Sequence, residues 1–118
     1  MDTSLQAQDA AAAKVAVAPR VALEHIESCV EREHYINVGD AVERKSIGGV
    51  RFPEDLLTIC VLVLKNGFTV TGESACASPE NFNRELGQQI ARRNALEKVW
   101  MLEGYLLRER LFIDGRMA

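Results

Sequence analysis

The chain has 118 residues, of which 47% are hydrophobic and 26% charged, and a formal net charge of -3 at pH 7. That length suits one domain with a single core, and the mild acidity argues against the broad basic footprint of non-specific nucleic-acid binding. No apolar run approaches a membrane span, no basic start followed by an apolar stretch marks a secretory signal, and Cys29, Cys60 and Cys76 match no zinc spacing and read as thiols in a reducing cytosol.

Residues 1–18 form an alanine-rich leader ended by Pro19. Alanine favours helix, but the stretch offers too little large apolar surface to hold a fold by itself, so it reads as a frayed tail unless a partner orders it. Residues 19–118 read as one domain. Its first helix is expected over residues 19–33, with Ala22, Leu23, Ile26, Cys29 and Val30 on the inner side and Glu24, Glu27, Glu31 and Arg32 outside. Residues 34–55 read as a long loop. They carry Gly39-Asp40, Gly48-Gly49 and Pro53, and a local basic set of Arg44, Lys45 and Arg51.

Asn66-Gly67 between two β-branched runs predicts a hairpin. A two-residue turn would pair Lys65 with Phe68, Val63 with Val70 and Val61 with Gly72. Ile59, Val61, Val63, Phe68 and Val70 would then face the core, while Thr58, Cys60, Leu62, Leu64, Thr69, Thr71 and Glu73 face the other way. Leaving Leu62 and Leu64 in water forgoes roughly 1.5–3 kcal/mol each. The sheet is therefore expected to be covered on both sides, with Leu62 and Leu64 in an interface to a second copy.

Ser78-Pro79-Glu80 reads as a helix start. Phe82, Leu86 and Ile90, extended by Ala91, Ala95 and Val99, predict its packing stripe, with Gly87 small enough for close approach. Arg84, Gln88, Arg92 and Arg93 fall largely outside. A break over residues 100–104 and a short final helix containing Leu106, Leu107, Leu111 and Phe112 complete an α+β order: helix, long loop, β-hairpin, long helix, short C-terminal helix. Trp100 is expected to close one end of the core, its indole nitrogen finding an acceptor.

The run TICVLVLKNGFTVTGESACASPENFNRELGQQIARRNALEKVW, followed by LEGYLLRERL, resembles the tailed-phage family named for gene products forty-nine and sixty-six of two phages. The likeness covers residues 57–111 and reaches back more loosely to His34-Tyr35. NGFTVTGES together with the PENF helix start carries it. Where many members have proline after the tryptophan, this chain has Met101, which softens the expected helix break. The resemblance implies a phage or prophage accessory protein in the host bacterial cytoplasm. It supplies no catalytic residues and no cofactor.

Gly72-Glu73-Ser74 and Cys76 could suggest a base and a nucleophile. His25 and His34 lie far away in sequence, however, and a nucleophile needs a base within hydrogen-bond reach. The plainer reading has Gly72 letting the strand bend or a neighbour approach, with Glu73 and Ser74 finishing the strand. Two histidines without matching ligand spacing predict no metal site. The order of elements also allows a double-stranded-RNA reader, but Ser78-Pro79-Glu80-Asn81 lacks the lysines such a helix start uses, and Glu80 and Glu85 add negative charge. No tight duplex binding is expected.

The leading expectation is a non-catalytic accessory protein. It forms a homo-oligomer and binds a host factor, a host protein in the first instance, to inhibit anti-phage defence or redirect host metabolism. The alternative is a sponge for a nucleotide-like small molecule. Its candidate site is Thr69, Thr71, Glu73, Ser74, Asn81, Arg84, Arg92 and Arg93, since hydroxyls, amides and arginines suit sugar and phosphate oxygens. An RNA-binding module and an enzyme using Glu73 or Cys76 complete the alternatives.

Overall fold

A computed structural model describes residues 4–42 and 52–115. The hairpin is present as β2 (Leu57–Leu64) and β3 (Thr69–Ala75). Its loop is one residue longer than the two-residue turn. The Gly67 amide donates to the Leu64 carbonyl at 2.9 Å, and the Leu64 amide to the Phe68 carbonyl at 2.8 Å. Lys65, Asn66 and Gly67 form the loop, and Gly67 takes the left-handed conformation at φ +90° that closes it.

That extra residue resets the register. Leu62 pairs with Val70, Val61 with Thr71 and Cys60 with Gly72. A one-residue slip exchanges the faces of a strand. The core face of β2 is therefore Thr58, Cys60, Leu62 and Leu64, not Ile59, Val61 and Val63, which are half-buried on the outer side. Leu62 is fully buried and Leu64 nearly so within this chain, so neither is available as the interface expected for them.

A third strand, β1 (Val30–Asn37), pairs antiparallel with β2, giving the order β1-β2-β3. It occupies the end of the expected first helix and the start of the expected loop. Its inner positions are Glu33, Tyr35 and Asn37, opposite Leu62, Cys60 and Thr58. Such a polar pattern hides a strand from hydrophobic alternation but suits a sheet edge. The strand runs into a single helical turn, α3 (Val38–Ala41), where Asn37 Oδ1 accepts from the Asp40 amide at 3.1 Å. Arg44, Lys45, Gly48-Gly49 and Arg51 lie outside the described residues.

The first helices are α1 (Ser4–Val15) and α2 (Leu23–Ser28). Residues 4–15 of the leader are thus helical, and Leu5 is buried in the common core. Ala22 offers α2 no side-chain cap. Asp9 of α1 compensates from outside, accepting from the Leu23 amide at 2.9 Å and from Arg20 Nη1 at 2.7 Å.

A 3-10 turn at Pro79–Asn81 uses the Ser-Pro-Glu segment expected to open the long helix. That helix, α4 (Arg84–Ile113), is capped instead by Asn83, whose Oδ1 accepts from the Leu86 amide at 2.9 Å. Its buried positions are Gly87, Ala91, Ala95, Leu96 and Val99. Ala91, Ala95 and Val99 of the expected stripe are buried and Gly87 makes the close approach, but Leu86 is 52% exposed, Ile90 is half-buried and Phe82 precedes the helix, while Leu96 joins the inner side. A methyl group at Gly72 would collide with the backbone of Ala91 and Ala95, so this glycine lets α4 lie directly on β3. Trp100 Nε1 donates to the Val21 carbonyl at 3.1 Å, closing the core end as expected. Residues 100–104 stay helical, so α4 is continuous and no separate final helix forms. At 1.5 Å per residue, 30 residues reach about 45 Å, which accounts for an elongated molecule of 63 × 29 × 22 Å.

Candidate functional sites

The eight polar residues proposed from sequence do not converge. Thr69, Thr71 and Glu73 lie on the outer side of β3, where Thr71 Oγ1 donates to Glu73 Oε1 at 3.3 Å. Ser74 falls on the inner side and, with Asn81, borders a cleft of about 240 Å³ beside Phe82 and Gly87. Arg84 Nη2 donates to Asp40 Oδ2 at 3.1 Å, joining the start of α4 to α3. Arg92 and Arg93 line a separate groove.

That groove, about 390 Å³ in volume, runs between α4 and the elements α1, α2 and β1. Leu5, Leu23 and Leu96 form its apolar floor, with Gln89, Arg92, Arg93, Glu27 and Glu33 around it. Arg92 Nε donates to Glu33 Oε2 at 2.9 Å, and Tyr35 Oη donates to Glu33 Oε1 at 3.0 Å. Burial would lower the Arg92 pKa, but the Glu33 carboxylate outweighs it and raises it. Burial first, and the same carboxylate second, raise the Tyr35 phenol and push the Cys60 thiol up to about 11. Cys60 is therefore a protonated core side chain. The net effect of this network is to tie β1 to α4. The groove presents two cations together with two carboxylates, a mixed surface rather than a dedicated anion cradle.

One cluster escaped the sequence reading. His25 and Cys29 stand one turn apart at the end of α2, and α4 brings Glu103 against them. His25 Nε2 and Glu103 Oε1 are 2.5 Å apart, and Cys29 Sγ lies 3.8 Å from His25 Nε2. The visible signal was the i, i+4 spacing of His25 and Cys29. The third member sits 74 positions beyond Cys29, and only the packing of α4 reveals it.

A further group is apolar and outward-facing. Met101, Tyr105, Leu106, Phe112 and Ile113 are all more than 40% exposed along the last half of α4. At helical periodicity they occupy one broad side of the helix.

A three-stranded antiparallel sheet carrying one long helix, with a projecting apolar helix end and mixed surface grooves, defines a small α+β protein. The family comparison gives this class a particular place. Residues 21–111 match the model of the phage protein family N4 Gp49/phage Sf6 gene 66, and the chain belongs to that family. It is thus a phage accessory protein. Neither a curated protein nor a solved structure gave a match. Among the described residues, no helix is long and apolar enough to cross a membrane.

Proposed function

We propose that the protein works by binding rather than by catalysis: it assembles with further copies of itself in the host bacterial cytoplasm and engages a host protein, inhibiting anti-phage defence. The observation that carries the binding part is the apolar side of the α4 end. Met101, Tyr105, Leu106, Phe112 and Ile113 remain in water when the chain has folded. A contiguous apolar surface of this kind marks an interaction site, and an exposed helix face is suited to a groove or to a second helix. Family membership supports the phage context.

The test has two parts. Light scattering on the purified chain at tens of micromolar, a concentration chosen on the scale of common interface affinities, should give a dimer or larger assembly. Tyr105→Glu/Phe112→Glu should give a monomer with unchanged circular dichroism. A monomeric wild type removes the self-assembly reading. For the host partner, a defence-bearing strain expressing the chain should lose protection against a sensitive phage, and the same double variant should restore it. Unchanged protection with wild-type chain removes the anti-defence reading.

A nucleotide-like ligand is the second reading, supported by the meeting of Arg92, Arg93 and Gln89 on one groove. One or two arginines can hold a phosphate group, although Glu27 and Glu33 oppose an anion there. Thermal-shift screening against mono- and dinucleotides tests it, with Arg93→Ala expected to abolish any shift. Thr71→Ala should leave that shift intact, because Thr71 lies on the outer side of the sheet. For duplex RNA or DNA, anisotropy at physiological salt should show no submicromolar binding. The net charge, Glu80 in the turn before α4 and Glu85 in its first turn support that expectation.

A further inference from the structure

We propose that His25, Cys29 and Glu103 form a binding site for a zinc-class divalent transition-metal ion, which clamps α2 to α4. The donor set carries the choice of ion. A thiolate, an imidazole and a carboxylate together suit zinc and its neighbours, whereas magnesium and calcium favour oxygen alone. The three ligand atoms already lie within 4.8 Å of one another. Bond lengths of about 2.0–2.3 Å in a tetrahedral zinc site place nitrogen and sulfur donors about 3.6 Å apart, and nitrogen and oxygen donors about 3.3 Å apart. The Cys29–His25 separation of 3.8 Å is close to that requirement. The His25–Glu103 pair, hydrogen-bonded at 2.5 Å, has to open by under an ångström, and the half-exposed His25 side chain has room to do so.

The alternative use of these groups is a histidine–glutamate pair beside a thiol. That arrangement leaves the Cys29 sulfur with the His25 carbonyl at 3.3 Å and His25 Nε2 at 3.8 Å. A cation between them would use all three groups at once. The location gives the ion structural leverage. α2 has six residues, too short to be stable alone. The Cys29 carbonyl accepts from the Lys65 amide at 2.9 Å, so the same residue touches the hairpin loop. An ion here joins α2, α4 and the end of the sheet. Three protein ligands leave a fourth position for water or for a donor from outside the chain.

Cobalt(II) serves as the spectroscopic probe on the full-length, tag-free chain. One equivalent should bind with a dissociation constant tighter than about 10 µM and give a sulfur-to-cobalt charge-transfer band that zinc displaces. Cys29→Ser should abolish the band. His25→Ala and Glu103→Gln, both at surface-reaching positions, should each weaken binding by at least about tenfold while leaving the circular dichroism unchanged. Cys76→Ser and His34→Ala should behave as wild type. Zinc should raise the melting temperature of wild type and not of Glu103→Gln. The proposal is overturned by a band that persists in Cys29→Ser, by binding unaltered in His25→Ala or Glu103→Gln, or by the absence of binding in the stated range.

Discussion

Gly72 and Leu86 differ in what a single methyl or isobutyl group means at each place. At Gly72 the space is taken by the α4 backbone, which cannot step aside as a side chain could. Gly72→Ala should destabilise by about 1–3 kcal/mol or more, the cost of overpacking a filled contact. At Leu86, half in water, truncation to alanine should cost under about 1 kcal/mol, well short of the 2–5 kcal/mol of a core leucine. Urea denaturation of the two variants checks both numbers, and a larger loss at Leu86 than at Gly72 would show that α4 packs by another side. The cysteines offer a second comparison. Cys60 has no exposed surface and a thiol pushed up to about 11, by burial first and the Glu33 carboxylate second. Cys29 and Cys76 are partly exposed. A thiol reagent at neutral pH should therefore modify Cys29 and Cys76 well before Cys60, and denaturant should remove the difference.

At the scale of elements, the junction of α1 and α2 rests on one carboxylate. Hydrogen bonds from Arg20 and from the Leu23 amide hold the Asp9 pKa below its ordinary value. A folded-state pKa lower than the unfolded one means that ionised Asp9 stabilises the docked arrangement above the unfolded value. That contribution is lost as pH falls through the folded value. Lowering pH through the carboxylate range should therefore loosen α1, seen as faster amide exchange at Leu23 at a given intrinsic rate. Asp9→Asn should show the loose state at neutral pH and no further change on acidification. A wild type whose Leu23 protection is constant through that range would detach α1 docking from Asp9. The hairpin makes a related point about loops. One additional loop residue decided which face of β2 is core, because strand faces alternate at every residue.

For the whole molecule, α4 divides into a part packed on the body and a part that projects beyond it. The core closes at Trp100 and Val99, while Tyr105, Phe112 and Ile113 lie beyond it in water. Removing residues 105–118 should leave a folded body with the same urea transition to within about 1 kcal/mol, since exposed side chains contribute little to folding. The same truncation should abolish self-assembly. Loss of cooperative unfolding in the truncated chain would instead make the projection part of the folding unit.

What the sequence by itself determined are the features written locally. Asn66-Gly67 sets a hairpin, the long apolar-periodic run after Ser78-Pro79-Glu80 sets a helix, Gly72 marks a close approach, and the run from NGFTVTGES to PENF places the chain in its family. Each depends on neighbours within a few positions. Tertiary structure decided the rest. Val30–Asn37 became a strand because β2 offered it hydrogen-bond partners, although its own pattern is largely polar. Gly87, Ala91 and Ala95, and not Leu86, meet the sheet because the α4 backbone lies directly on Gly72 of β3 and leaves no room for a larger side chain at that contact. The candidate nucleotide residues separated because strand alternation puts Thr71 and Ser74 on opposite faces of β3, while Asp40 and Glu33 engaged Arg84 and Arg92. His25, Cys29 and Glu103 met only because the unbroken α4 carries residue 103 alongside α2. Local chemistry specifies which elements form, and long-range packing selects which faces meet, because burying one side of a helix or strand is a property of the pair and not of either alone.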